Sequence, residues 1–77
     1  MVRGRVKWFN IYKGWGFLTR EDDGRDVFIH YSKIDMSGFK KLKSEDEVVF
    51  EVQDGEKGPI AIDVKLANYL EEWKNSI

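Results

Sequence analysis

The chain contains no cysteine, so neither a disulfide framework nor a thiolate metal site can supplement its core, and the disulfide-rich secreted class is excluded. A reducing, cytoplasmic setting fits that absence. A single histidine, His30, leaves no second imidazole for a metal, and no cofactor is expected. The same scarcity argues against an enzyme. Nucleophile–base pairs reduce to Ser32 near His30, and no orienting carboxylate stands at a recognisable position. Long apolar runs are missing too. No stretch is long enough to span a bilayer, and the opening MVRGRVKWFN lacks the apolar segment of a signal peptide. The expectation is a soluble chain with neither a membrane nor a small-molecule substrate as partner.

Net charge is also scarce, at −1 in total, but its distribution is uneven. Residues 1–20 hold Arg3, Arg5, Lys7, Lys13 and Arg20 with no acid, so one basic face on an otherwise acidic molecule is expected. The 77 residues fit one domain. A domain of this size buries only roughly 60% of the surface its unfolded chain exposes, so the margin of stability is small.

Gly and polar punctuation divides the first 65 residues into five short runs rich in Val, Ile, Phe and Trp, the pattern of an all-β barrel or sandwich. The runs are 3–10, 14–19, 26–30, 47–53 and 60–65. Glu21-Asp22-Asp23-Gly24 reads as a hairpin turn, and 54–59 as a longer loop. Residues 31–46 make a connection long enough to cross a barrel, with a short helical turn around 32–35. Period-2 alternation then sorts the faces. Val6, Leu18, Val27, Ile29, Val48, Phe50, Val52 and Val64 make a core, with Val49 on the opposite side of its strand. Trp15, Phe17, Phe28 and His30 are left outside on two adjacent strands, and a small domain rarely exposes so many rings without a use for them.

Rings, lysines at their edge and glycines that permit close approach suit single-stranded nucleic acid. Bases stack on aromatic side chains for about 1–3 kcal/mol each while lysines neutralise phosphates. Trp8, Trp15, Phe17, Phe28 and His30 can form such a platform, with Lys7 and Lys13 beside it and Lys57 reaching in from the late loop. Three phosphate contacts would give a salt slope near −2 on the log–log plot, at roughly −0.7 per contact. The alternative from another class is a peptide groove, which has no need of lysines at its rim.

The segments GRVKWFN (4–10), KGWGFL (13–18), DVFIHYS (26–32) and EKGPIA (56–61) resemble the successive signatures of bacterial cold shock proteins. KGWGFL is similar to the first ribonucleoprotein-type motif of that family and VFIH to its second, and the match runs from about Val2 to Lys65. The resemblance implies a five-stranded antiparallel Greek-key barrel of the oligonucleotide-binding (OB) type. It also implies an ATP-independent RNA chaperone that binds single-stranded RNA and DNA, with a preference for pyrimidine-rich strands, and that influences transcription or translation. By the same resemblance, the stacking positions are Trp8, Trp15, Phe17, Phe28, His30, Tyr31 and Phe39. Lys7, Asn10, Lys13, Asp26 and Lys57 match the polar and phosphate contacts. Four residues depart from the family pattern: Trp15 for Phe or Tyr, Tyr31 for Phe, Ile60 for Gln and Asp63 for Asn. Ile60 lacks an amide that would read a base edge, and Asp63 brings negative charge near the groove, so base preference is where a difference is expected.

The cold shock domain is expected over 1–66, followed by an extension over 67–77. There Leu66, Leu70, Trp73 and Ile77 recur at helical spacing. So short a helix is weakly formed alone. Packing on the barrel, homodimerisation through this extension, another partner and a frayed tail are the alternatives.

Overall fold

Strands form where apolar and polar residues alternate, and they end at glycines and acidic turns. In the computed structural model, which describes residues 1–34 and 42–67, five of them close into a barrel: β1 Val2–Asn10, β2 Trp15–Arg20, β3 Asp26–His30, β4 Glu47–Gly55 and β5 Gly58–Leu66. The order around the barrel is β1-β2-β3-β5-β4. Neighbours run antiparallel except at the β3–β5 seam, which is parallel with Phe28 opposite Ile60. That seam follows from the strand directions: β1 is antiparallel to both β2 and β4, β3 is antiparallel to β2 and β5 to β4, so β3 and β5 run the same way. The connection after β3 starts with a 3₁₀ turn, Tyr31–Lys33. Phe39 and the extension beyond Ala67 lie outside the described residues.

The barrel interior follows the alternation. Val6, Leu18, Val27, Ile29, Val48, Phe50 and Val64 are fully buried, and Ile34, Leu42 and Ala61 complete the cluster. Val52, expected inside, is only partly buried against it. Val49, expected outside, is buried at 5% exposure. The β4–β5 register shifts between Val49 and Glu51, where β5 carries the extra residue, so that Ala61 and Val64, three positions apart, both enter the core. Asp63, in the matching stretch of β5, takes φ 51°. This left-handed conformation is one that Asn and Asp tolerate better than other side chains do.

One further expectation changes. The segment 54–59 is not a long loop: Gly55 pairs with Gly58 and Asp54 with Pro59, so only Glu56 and Lys57 form the turn. Paired strands running to the turn hold Lys57 at a hairpin tip. In β1 the register with β2 shifts between Val6 and Trp8, leaving Lys7 as an extra residue. One inserted residue reverses the facing of everything after it. Val6 therefore points into the barrel while Trp8, two residues on, stands outside.

Candidate nucleic-acid interface

The bulge at Lys7 puts Trp8 beside Phe17, its register partner on β2. Phe17 in turn faces Phe28 on β3, and Trp15 faces His30. Four rings follow from this register as a continuous network. Trp8 and Trp15 meet edge to face at 5.0 Å between centroids, Trp8 and Phe17 lie at 5.5 Å, Phe17 and Phe28 at 5.8 Å, and Trp15 and Phe28 at 5.9 Å. Such pairs favour one another beyond their area alone, which holds the rings in place before any ligand arrives. Gly16 makes the arrangement possible. A Cβ there would sit 2.2 Å from the Trp8 carbonyl oxygen, so only glycine lets β1 pass this close with its bulge.

His30 and Tyr31 form a second pair of rings, 4.7 Å apart. His30 Nδ1 accepts from the Ser32 amide at 3.3 Å and lies 2.9 Å from Ser32 Oγ, an N-cap on the 3₁₀ turn. The Ser32–His30 proximity therefore serves the backbone. Tyr31 donates its amide to the Gly14 carbonyl oxygen at 2.8 Å, and its ring occupies the space a Gly14 side chain would need. Gly14, at φ +79°, thereby ties the β1–β2 turn to the aromatic face.

Asn10 is turned inward to that same loop. Its Oδ1 accepts from the Tyr12 and Lys13 amides at 3.0 and 2.9 Å, an Asx-type turn that presents the Lys13 side chain outward. At the other end of the face, Asp26 accepts from Lys7 Nζ at 2.7 Å and from Thr19 Oγ1 at 3.0 Å. The bond from Lys7, then that from Thr19, holds the Asp26 carboxyl below its ordinary range. An acceptor and a donor stand side by side there, a combination able to read the polar edge of a base.

The basic face expected from the first 20 residues is largely neutralised, because acids arrive from other strands and turns. Arg5 pairs with Glu47 at 3.2 Å and Glu45 at 3.8 Å, Lys7 with Asp26, and Arg20 with Asp22 at 2.7 Å and Asp23 at 3.5 Å. Lys13 and Lys57 make no ion pair among the described residues, and each lies at a turn. Between the β2–β3 outer face and the β4–β5 hairpin runs an open groove of about 680 Å³, lined by Phe17, Asp26, Phe28 and residues 55–60. Pro59 and Ile60 were not among the expected contacts, yet both line it. Their signal in the sequence is their position just after the hairpin turn. Asp63 is not among the residues lining this groove, so its departure from the family pattern bears on the backbone of β5. Tyr12 is another ring not anticipated, 94% exposed at the β1–β2 turn.

A small closed barrel with the order β1-β2-β3-β5-β4, carrying aromatic rings on one outer face above a groove, defines the OB class of binding barrels. Comparison with known proteins narrows the class. Residues 2–67 match the family described as the 'Cold-shock' DNA-binding domain. A cold shock-like protein of Thermotoga maritima is 55% identical over 65 residues, covering 84% of this chain and 97% of that protein. Cold shock-like protein CspC of Escherichia coli K12 is 52% identical over 63 residues, covering 82% of this chain and 91% of its own length. Among solved structures, a chain described as "drosophila Unr CSD456" aligns with a TM-score of 0.69 at 25% identity. It covers 84% of this chain, which spans 26% of that one. The chain belongs to the cold-shock domain family, whose members bind nucleic acids.

Proposed function

We propose that this protein binds single-stranded RNA and DNA by stacking bases on Trp8, Trp15, Phe17, Phe28, His30 and Tyr31, with Lys13 and Lys57 contacting phosphates and the Lys7–Asp26 pair reading base edges. The observation that carries the reading is the four-ring network standing outside a barrel whose core is complete without it. Stacking needs unpaired bases with open faces, which a duplex does not offer. A ligand that binds only the open strand shifts a hairpin toward its melted form by mass action, so RNA chaperone activity follows without ATP. The resemblance to cold shock proteins supports a pyrimidine-rich target, a cytoplasmic setting, an effect on transcription or translation, and Phe39 as a further stacking ring. Homodimerisation through 67–77 is a separate proposal, resting on the helical spacing of Leu66, Leu70, Trp73 and Ile77 and not on the family. For the described residues, no helix is long and apolar enough to cross a membrane.

The test compares binding of an oligothymidine heptamer with that of a duplex of the same length, and follows the melting of a weak RNA hairpin with added protein. Tight single-strand binding, weak duplex binding and ATP-free hairpin opening are expected. Equal affinity for duplex and single strand would contradict the stacking mode.

A further inference from the structure

Ile60 and Phe28 are register partners across the β3–β5 seam. The next residue, Ala61, is buried in the barrel at 1% exposure, so alternation turns Ile60 to the outer face beside Phe28. Gly55 across the hairpin gives it room: a Cβ on Gly55 would sit 3.2 Å from Ile60 Cγ2. A β-branched side chain lying against backbone in this way has little χ1 freedom, so the wall it makes is fixed. Phe17, Phe28, Pro59 and Ile60 supply apolar walls to the groove, and Asp26 lines it one pleat along the strand from Phe28.

A base lying over Phe28 therefore meets two different surroundings. Along the strand stands Asp26 with its Lys7 partner, an acceptor and a donor. Across the seam stands Ile60, which offers neither. A polar base edge turned toward Ile60 would give up water without a replacement hydrogen bond. A methyl group turned the same way gains by leaving water. Thymine places a hydrogen-bonding edge next to an apolar one, the C5-methyl, which is the group that aliphatic side chains contact on this base. We propose that Ile60 makes the groove beside Phe28 a thymine-selective subsite that reads the C5-methyl group, and so favours DNA over RNA at this position independently of the sugar. The proposal rests on the stacking mode described above.

The experiment measures affinities of the full chain for a thymidine heptamer and for a 2′-deoxyuridine heptamer, which differ only in the methyl groups. The native protein, Ile60→Gln and Ile60→Thr are compared, with circular dichroism to verify folding. Because Ile60 is partly exposed at the barrel surface, both variants are expected to fold, and Ile60→Thr retains the β-branch should Ile60→Gln fail. The native chain should prefer thymidine, and that preference should fall about fourfold in Ile60→Gln, the worth of one buried methyl. Ile60→Thr, which keeps one methyl, should fall between. The same thymidine preference in native and variant proteins, or none in the native chain, overturns the proposal while leaving stacking intact. Failure of the native chain to bind either heptamer overturns the stacking mode itself and the subsite with it.

Discussion

A ring that carries a stacked base contributes about 1–3 kcal/mol to binding, so truncating one at the centre of the network has a measurable effect. Phe17→Ala and Phe28→Ala should each weaken oligothymidine binding by roughly 5- to 150-fold at unchanged fold, read by titration calorimetry. Asp63 lies off the groove and should act on stability alone. Asp63→Val forces a β-branched residue into the left-handed region and should lower stability by about 1–3 kcal/mol in urea unfolding, while Asp63→Asn leaves it nearly unchanged. Asp26 predicts a pH dependence. Its folded-state carboxyl titrates below its unfolded value, so the stabilisation from Lys7 and Thr19 is fully present above the ordinary carboxylate range and disappears as pH falls through the depressed value. Thermal stability of Asp26→Asn should therefore fall less steeply on acidification than that of the native protein. Phe17, Phe28 and His30 were legible in the sequence because alternation alone places them. Trp8 was named with them, but alternation does not place it: its outward facing depends on the extra residue at Lys7, and period-2 counting from Val6 would put it in the core.

At the scale of elements, the bulge of β1 and the glycine of β2 form one unit. Gly16→Ala would drive a methyl into the Trp8 carbonyl at 2.2 Å, where backbone must move. It should therefore destabilise the barrel by more than about 2 kcal/mol and displace Trp8, visible as altered tryptophan emission before any ligand is added. The β4–β5 hairpin is the other positioning element. Its two-residue turn fixes Lys57 at the groove, so Lys57→Ala should weaken binding and flatten the log–log salt slope by about 0.7. The sequence located the turns at 21–24 and 54–59, because Gly and acidic residues punctuate them. It overestimated the second loop, since the pairing of Asp54 with Pro59 depends on a partner strand that local turn signals do not report. The burial of Val49 was hidden for another reason: it lies on the face opposite Val48 and Phe50, outside the core cluster, where alternation predicts exposure.

For the whole molecule, the proposed binding mode rests on stacking more than on charge. Of the five cations in the first 20 residues, Arg5, Lys7 and Arg20 are engaged with carboxylates; Arg20 pairs with Asp22 and Asp23 in the turn beside it, but no count along the chain could show that Arg5 meets Glu45 and Glu47 or that Lys7 meets Asp26. With Lys13 and Lys57 left as the phosphate contacts, the salt slope should be near −1.4, shallower than the −2 that three lysines would give. The barrel and most of its core were readable from alternation. The Greek-key closure came from the family resemblance, and the parallel β3–β5 seam was not readable, because β3 and β5 are far apart in sequence and no local signal pairs them. In the proposed binding mode the outer rings are the binding surface. A tryptophan fluorescence titration with a thymidine heptamer, at two salt concentrations, tests it on the native chain and on Phe17→Ala combined with Phe28→Ala. Strong quenching that the double substitution abolishes in a folded protein, with a log–log salt slope near −1.4 in the native chain, is the predicted result. Undiminished quenching and affinity in the folded double variant would contradict it.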